Sequence, residues 1–140
     1  MTSGTATIAT TPDTIMTVLA DLPGMLAWSP AQSVEVTESD DAGRPIQARW
    51  RERYGPLQDE FVLHYQWHDR AVSWWLLHGR ILKRENGRFE LDSLRCGGTQ
   101  LTYSLELGIV VPLPPCVRTR IESLVIASTL ESLKKHVESR

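Results

Sequence analysis

The strongest constraint in this chain is an alternation of period two that recurs in segment after segment. In its clearest stretch Phe61, Leu63, Tyr65 and Trp67 share one face, while Val62, His64, Gln66 and His68 share the other. Successive side chains of a strand point to opposite sides, so such a segment is a strand with one buried face. Similar segments flank it. Val34 and Val36 alternate with Ser33, Glu35 and Thr37; Ile46, Ala48 and Trp50 alternate with Gln47, Arg49, Arg51 and Arg53; Trp74 and Leu76 alternate with Trp75 and Leu77. Between Thr99 and Ile109, Leu101, Tyr103, Leu105 and Leu107 line one face. Turn residues separate the segments: Asp40-Asp41-Ala42-Gly43, Gly55-Pro56, His68-Asp69-Arg70 and Arg95-Cys96-Gly97-Gly98. The stretch from Ile81 to Leu94 contains Asn86-Gly87, a hairpin signal. A turn there would leave a very short strand after Gly79, so one long strand with a bulge at Gly87 is expected.

Helical signals bracket these strands. After a first strand from Ser3 to Thr10, Thr11-Pro12-Asp13 reads as N-cap, first helical residue and acidic first turn, with Ile15, Val18, Leu19 and Leu22 on one face. Pro23 ends this helix, and Met25 to Trp28 forms a short second one. Pro112, Pro114 and Pro115 break the sheet before a last helix that runs to about Glu138 and spans roughly 36 Å. Its apolar pattern changes face. Val117, Ile121, Leu124 and Ser128 form one stripe, and Ile126, Leu130, Leu133 and Val137 form a nearly opposite one. The two halves therefore meet different surroundings. Consecutive antiparallel strands between helices make the fold class α+β.

Size and composition bound the function. The 140 residues suit a single domain, 1–140, and 41% hydrophobic residues suffice for a core without metal or disulfide staples. A net charge of −2 argues against a general nucleic-acid surface. No apolar run is long enough for a membrane span, and the N-terminus lacks a signal-peptide pattern, so a cytoplasmic location is expected. Two cysteines, Cys96 and Cys116, make no disulfide framework. His64 and His68 share a strand face about 13 Å apart, too far for one metal ion. With no completing ligand, neither metal nor cofactor is expected. Nucleotide-binding and serine-hydrolase motifs are absent.

The aromatics are skewed toward five Trp and three Tyr against two Phe. Trp50, Phe61, Tyr65, Trp67, Trp74 and Tyr103 share inward parity, with Leu63 and Leu105 among them. Such a set either packs a core or lines a cavity, where Tyr hydroxyls would orient an otherwise apolar ligand. Glu52 shares the face of Trp50. A carboxylate facing an apolar space must find a partner, take up a proton or reach water at the strand end. Arg49, Arg51 and Arg53 form a basic row, either a solvated strand face paired with acidic neighbours or a docking patch for an acidic protein.

The element order, with Pro12-x5-Val18-Leu19-x-Asp21 and Trp28-Ser29-Pro30, resembles the START-like or SRPBCC superfamily. It is most similar to the bacterial polyketide cyclase/dehydrase and coenzyme-Q-binding-protein-like subgroup. Gly55-Pro56-Leu57, Val72-Ser73-Trp74 followed by Leu76, Gly97-Gly98-Thr99 and Leu130-x-x-Leu133-Lys134-Lys135 add to the resemblance, which covers nearly the whole chain. It implies a helix-grip: a curved antiparallel sheet of about seven strands wrapped around the C-terminal helix, with two short helices after strand one and a pocket between sheet and helix. The expected pocket residues are Trp50, Glu52, Phe61, Leu63, Tyr65, Trp67, Trp74, Tyr103 and Leu105 on the sheet and Ile121, Leu124, Val125 and Ser128 on the helix, with Trp28 near the entrance. The implied function is binding or transport of a small hydrophobic ligand of the lipid, isoprenoid or polyketide-like kind. The alternatives are an aromatase/cyclase and a ribosome-associated or toxin-like protein-binding module.

Overall fold

The computed structural model describes residues 1–139. Seven strands, β1 (Thr2–Ile8), β2 (Ser33–Ser39), β3 (Pro45–Tyr54), β4 (Leu57–His68), β5 (Ala71–Gly79), β6 (Leu82–Ser93) and β7 (Thr99–Ile109), form one sheet. Its order is β1-β7-β6-β5-β4-β3-β2, and every pairing is antiparallel. Strands β2 to β7 form a meander, as the closely spaced turns dictate. Only the β1–β2 connection crosses from one sheet edge to the other. Helix α1 (Pro12–Ala20) and a 3-10 helix (Pro23–Ala27) make that crossing.

Local chemistry sets these elements. Thr11 Oγ1 accepts the Thr14 amide at 3.4 Å, and α1 buries Pro12, Ile15, Val18 and Leu19 on one face. Asp21 caps the end of α1, and its Oδ1 also accepts the Gly24 amide at 3.1 Å. The 3-10 helix therefore begins at Pro23, two residues before the expected Met25. Proline lacks the amide proton that the first turn leaves unused, so it opens this helix rather than merely closing the preceding one.

The expected bulge at Gly87 is not there. Gly87 pairs regularly with Trp74 on β5 and Leu105 on β7. The irregularities fall between Leu82 and Arg84 on β6, between Val62 and Leu63 in the β4–β5 pairing, and between Val36 and Ser39 in the β2–β3 pairing. Gly87 is glycine for a different reason: a Cβ there would lie 2.1 to 2.5 Å from three atoms of the Trp74 indole. The ring lies directly over the neighbouring backbone.

Helix α2 (Pro115–Glu138) buries Glu122, Ile126, Leu130, Leu133 and Val137 against β1 and β7. Gly4 allows the approach, since a Cβ there would meet Ile126 Cγ2 at 2.7 Å. Polar staples fix the register. Glu122 Oε1 accepts from Thr2 Oγ1 at 2.6 Å, and Oε2 accepts the Leu107 amide at 2.7 Å. At the other end Lys134 Nζ donates to Thr7 O at 2.6 Å, and Glu138 Oε2 accepts the Ala9 amide at 2.9 Å. The C-terminal stripe of α2 is thus core. The N-terminal stripe is not: Val117, Ile121, Leu124 and Ser128 are all exposed to solvent or to an open cavity.

The Trp74–Gly87 contact makes a direct prediction. Gly87→Ala should destabilise the fold by roughly 1–3 kcal/mol through overpacking, measured by urea unfolding. In a Trp74→Leu background the same substitution should cost clearly less. Equal costs in both backgrounds would show that the indole is not the obstacle.

Candidate functional site

A cavity of about 470 Å³ lies between the inner face of the sheet, the N-terminal half of α2 and the segment around Trp28. This volume is in the range of small-molecule sites. Strand alternation brings Trp50 and Glu52 from β3, Phe61, Leu63, Tyr65 and Trp67 from β4, Trp74 from β5, and Tyr103 and Leu105 from β7 to its wall. Helix α2 adds Ile121 and Val125, and Trp28 closes one side.

Leu124 and Ser128 do not line this space. They line an adjoining depression of about 240 Å³ that shares Trp28, Ser29, Pro30, Val125 and Thr129 with the cavity. The reason is helical rotation. Ile121, Val125 and Thr129 follow one another at intervals of four and line the cavity, while Leu124 and Ser128 precede Val125 and Thr129 by one residue, a turn of 100°. Sequence reasoning also missed Thr129, Arg118, Tyr54 and, most importantly, Glu85. Glu85 shares inward parity with Phe89 and Leu91, a signal that the Asn86-Gly87 dipeptide obscured.

The aromatic wall is tied together. Trp50 Nε1 donates to Tyr65 Oη at 2.8 Å, Trp67 Nε1 donates to Pro45 O at 2.6 Å, and Trp74 Nε1 donates to Glu85 Oε2 at 2.7 Å. Phe89 and Tyr103 pack at 4.6 Å between ring centres, and Trp74 lies 5.8 Å from Tyr103. Tyr65 Oη accepts and so keeps its own proton to donate. The Tyr103 hydroxyl has no hydrogen-bond partner among the described residues. Trp28 Nε1 is buried and likewise unpartnered. Burial pushes the Tyr65 and Tyr103 hydroxyls well above their ordinary range, so both remain neutral donors.

Three carboxyls shape the electrostatics. Asp59 is fully buried and accepts the amides of Arg80, Ile81 and Leu82 at 3.1, 2.9 and 3.0 Å, tying the β5–β6 turn to β4. Its role is architectural. Glu52 is pushed up to about 7, first by burial and then by the Asp59 charge. Glu85 is also pushed up to about 7, by burial foremost; the Trp74 indole opposes this, while Glu52 and Asp59 add to it. A carboxyl that titrates near neutrality inside a pocket can exchange protons with a bound molecule.

On the opposite sheet face, the Arg49 guanidinium lies 3.7 Å from Glu35 and 3.6 Å from Glu60, and Arg51 lies 3.4 Å from Glu60. Two members of the basic row therefore meet acidic neighbours on β2 and β4, and Arg53 makes no ion pair among the described residues. His64 packs on Trp75 at 4.7 Å, outside the cavity. Cys96 and Cys116 are exposed.

The raised carboxyls give stability a pH dependence of known sign. A group whose folded pKa lies above its unfolded value binds its proton more tightly when folded. Stability therefore falls as pH rises from about 4.5 through 7. At pH 8, Glu52→Gln should raise stability by on the order of 2 kcal/mol, or several degrees in Tm. At pH 4 it should change little. Thermal melts at both pH values check this; an equal effect at the two would contradict it.

No family model matches the sequence, and no curated protein matches it. Solved structures do. A START superfamily protein from Mycobacterium smegmatis superposes with a TM-score of 0.90 at 19% identity, over 98% of this chain and 96% of the other. The Zhui aromatase/cyclase from Streptomyces sp. R1128 gives 0.80 at 18%, over 99% and 93%. The di-domain aromatase/cyclase StfQ of the steffimycin biosynthetic pathway gives 0.69 at 12%, over 99% of this chain and 46% of that one. With the seven-stranded antiparallel sheet and the long C-terminal helix, these likenesses establish that the chain has the START-like, or SRPBCC, helix-grip fold.

Proposed function

We propose that this protein binds or carries a small, largely apolar ligand between its sheet and α2, and that residues 1–140 act as one START-like unit. The observation that carries this reading is the aromatic-walled cavity of about 470 Å³. A wall of interlocked Trp, Tyr and Phe rings offers extensive apolar contact, and a few hydroxyls and carboxyls fix orientation. Lipids, isoprenoids and polyketide-like molecules fit that description. Among the described residues no helix is long and apolar enough to cross a membrane; a cytoplasmic location is part of the proposal.

A second reading, polyketide cyclisation, draws support from Glu52 and Glu85. Both titrate near neutrality inside the cavity and could move protons during enolisation. Product analysis with a poly-β-ketone substrate separates the two readings. The docking alternative has less to draw on, because Glu35 and Glu60 already answer Arg49 and Arg51.

Val125→Phe tests the binding reading, since this side chain borders the cavity while remaining partly exposed. The variant should keep its Tm within a few degrees. It should lose about tenfold in affinity for the apolar fluorophore N-phenyl-1-naphthylamine, about 1.4 kcal/mol. Unchanged affinity, or no binding by the parent protein, would refute the reading.

A further inference from the structure

We propose that the cavity selects ligands carrying a basic nitrogen, with Glu52 and Glu85 together anchoring the ammonium group. This deepens the binding reading above and rests on it. The two carboxyls come from β3 and β6, which are separated in the sheet by β4 and β5, yet both line the same cavity. Neither forms an ion pair among the described residues, although carboxylates on the outer face of the same sheet, Glu35, Glu60 and Glu106, do. Glu85 receives one hydrogen bond, from Trp74 Nε1 to Oε2, which leaves Oε1 free. Glu52 receives none among the described residues.

The remaining polar groups facing the cavity do not satisfy these acids. Tyr54 on β3, Tyr65 on β4 and Tyr103 on β7 are neutral hydroxyls. Asp59 on β4 lies behind the cavity wall, with its carboxylate committed to three backbone amides. Arg118, near the start of α2, is the one basic residue of the lining. Two carboxyls with no cation beside them, set in an apolar wall, are costly to ionise. A ligand ammonium removes that cost and gains charge-assisted hydrogen bonds. A carboxylate ligand meets two acids and can turn only to Arg118. An alcohol meets neither gain nor repulsion.

The same argument fixes a proton balance. An ammonium bound to the pair favours the ionised carboxyls, so binding expels protons wherever those groups are still protonated in the free protein. Amine affinity should therefore rise between pH 5.5 and pH 8, while alcohol affinity stays flat.

Three probes of equal chain length isolate the headgroup: decylamine, 1-decanol and decanoate, titrated against intrinsic tryptophan emission. At pH 8 decylamine should bind at least about tenfold more tightly than 1-decanol, and decanoate should bind least. The Glu52→Gln/Glu85→Gln double variant should bring the ratio of amine to alcohol affinity close to one. The parent protein's own pH series provides a second test independent of any variant. Equal affinity for amine and alcohol, a preference that survives the double substitution, or amine binding that ignores pH would each overturn the proposal. If decanol and decanoate bind and decylamine does not, the cavity reading stands and only this inference fails. Binding of none of the three removes both.

Discussion

The structure depends on where α2 is held. Ile126, Leu130, Leu133 and Val137 pack on β1 and β7, and the Glu122, Lys134 and Glu138 staples lock that position at both ends of the contact. A single helix about 10 Å across cannot also cover the inner faces of β3 to β6. Those faces carry Trp50, Phe61, Tyr65, Trp67, Trp74 and Phe89, and the rings from Tyr65 to Phe89 pack on one another. The cavity is the space left over by that mismatch.

The inner wall is stiffened by bonds that aromatic residues make with their polar ends. Each of Trp50, Trp67 and Trp74 has its indole N–H satisfied by a neighbouring strand, so the rings stand in fixed orientations. Trp74 is the centre of this arrangement. Its ring lies across Gly87, touches the Phe89–Tyr103 pair and donates to Glu85. One residue thereby links the shape of the wall to its charge. The raised Glu52 and Glu85 work against stability at neutral pH. Sites of function commonly carry such a cost, because a group satisfied by the protein itself is not free to recognise a ligand.

The strands are legible because half-buried antiparallel strands alternate, and five of the seven, β2 to β5 and β7, do so plainly. The site was legible to the same depth: parity alone brings Trp50, Glu52, Tyr65, Trp67 and Tyr103 to one face. Parity failed where a local signal competed with it. Asn86-Gly87 suggested a turn or bulge, but the glycine answers to the indole on the next strand, a contact 13 residues away in the chain that no local rule encodes. Glu85 was lost with it. On α2 the change of stripe indicates two different surroundings, but periodicity cannot say how far the helix is rotated. That rotation alone decides that Thr129, and not Ser128, faces the cavity.

Five indole N–H groups give this account an internal control. Trp28, Trp50, Trp67 and Trp74 border the cavity, whereas Trp75 lies on the opposite sheet face against His64. In a 1H–15N NMR titration with 1-decanol, the account predicts that the resonances of the first four shift, saturate together and report one dissociation constant, while that of Trp75 stays in place. Five unmoved indoles, or a shift at Trp75 equal to the others, would contradict it.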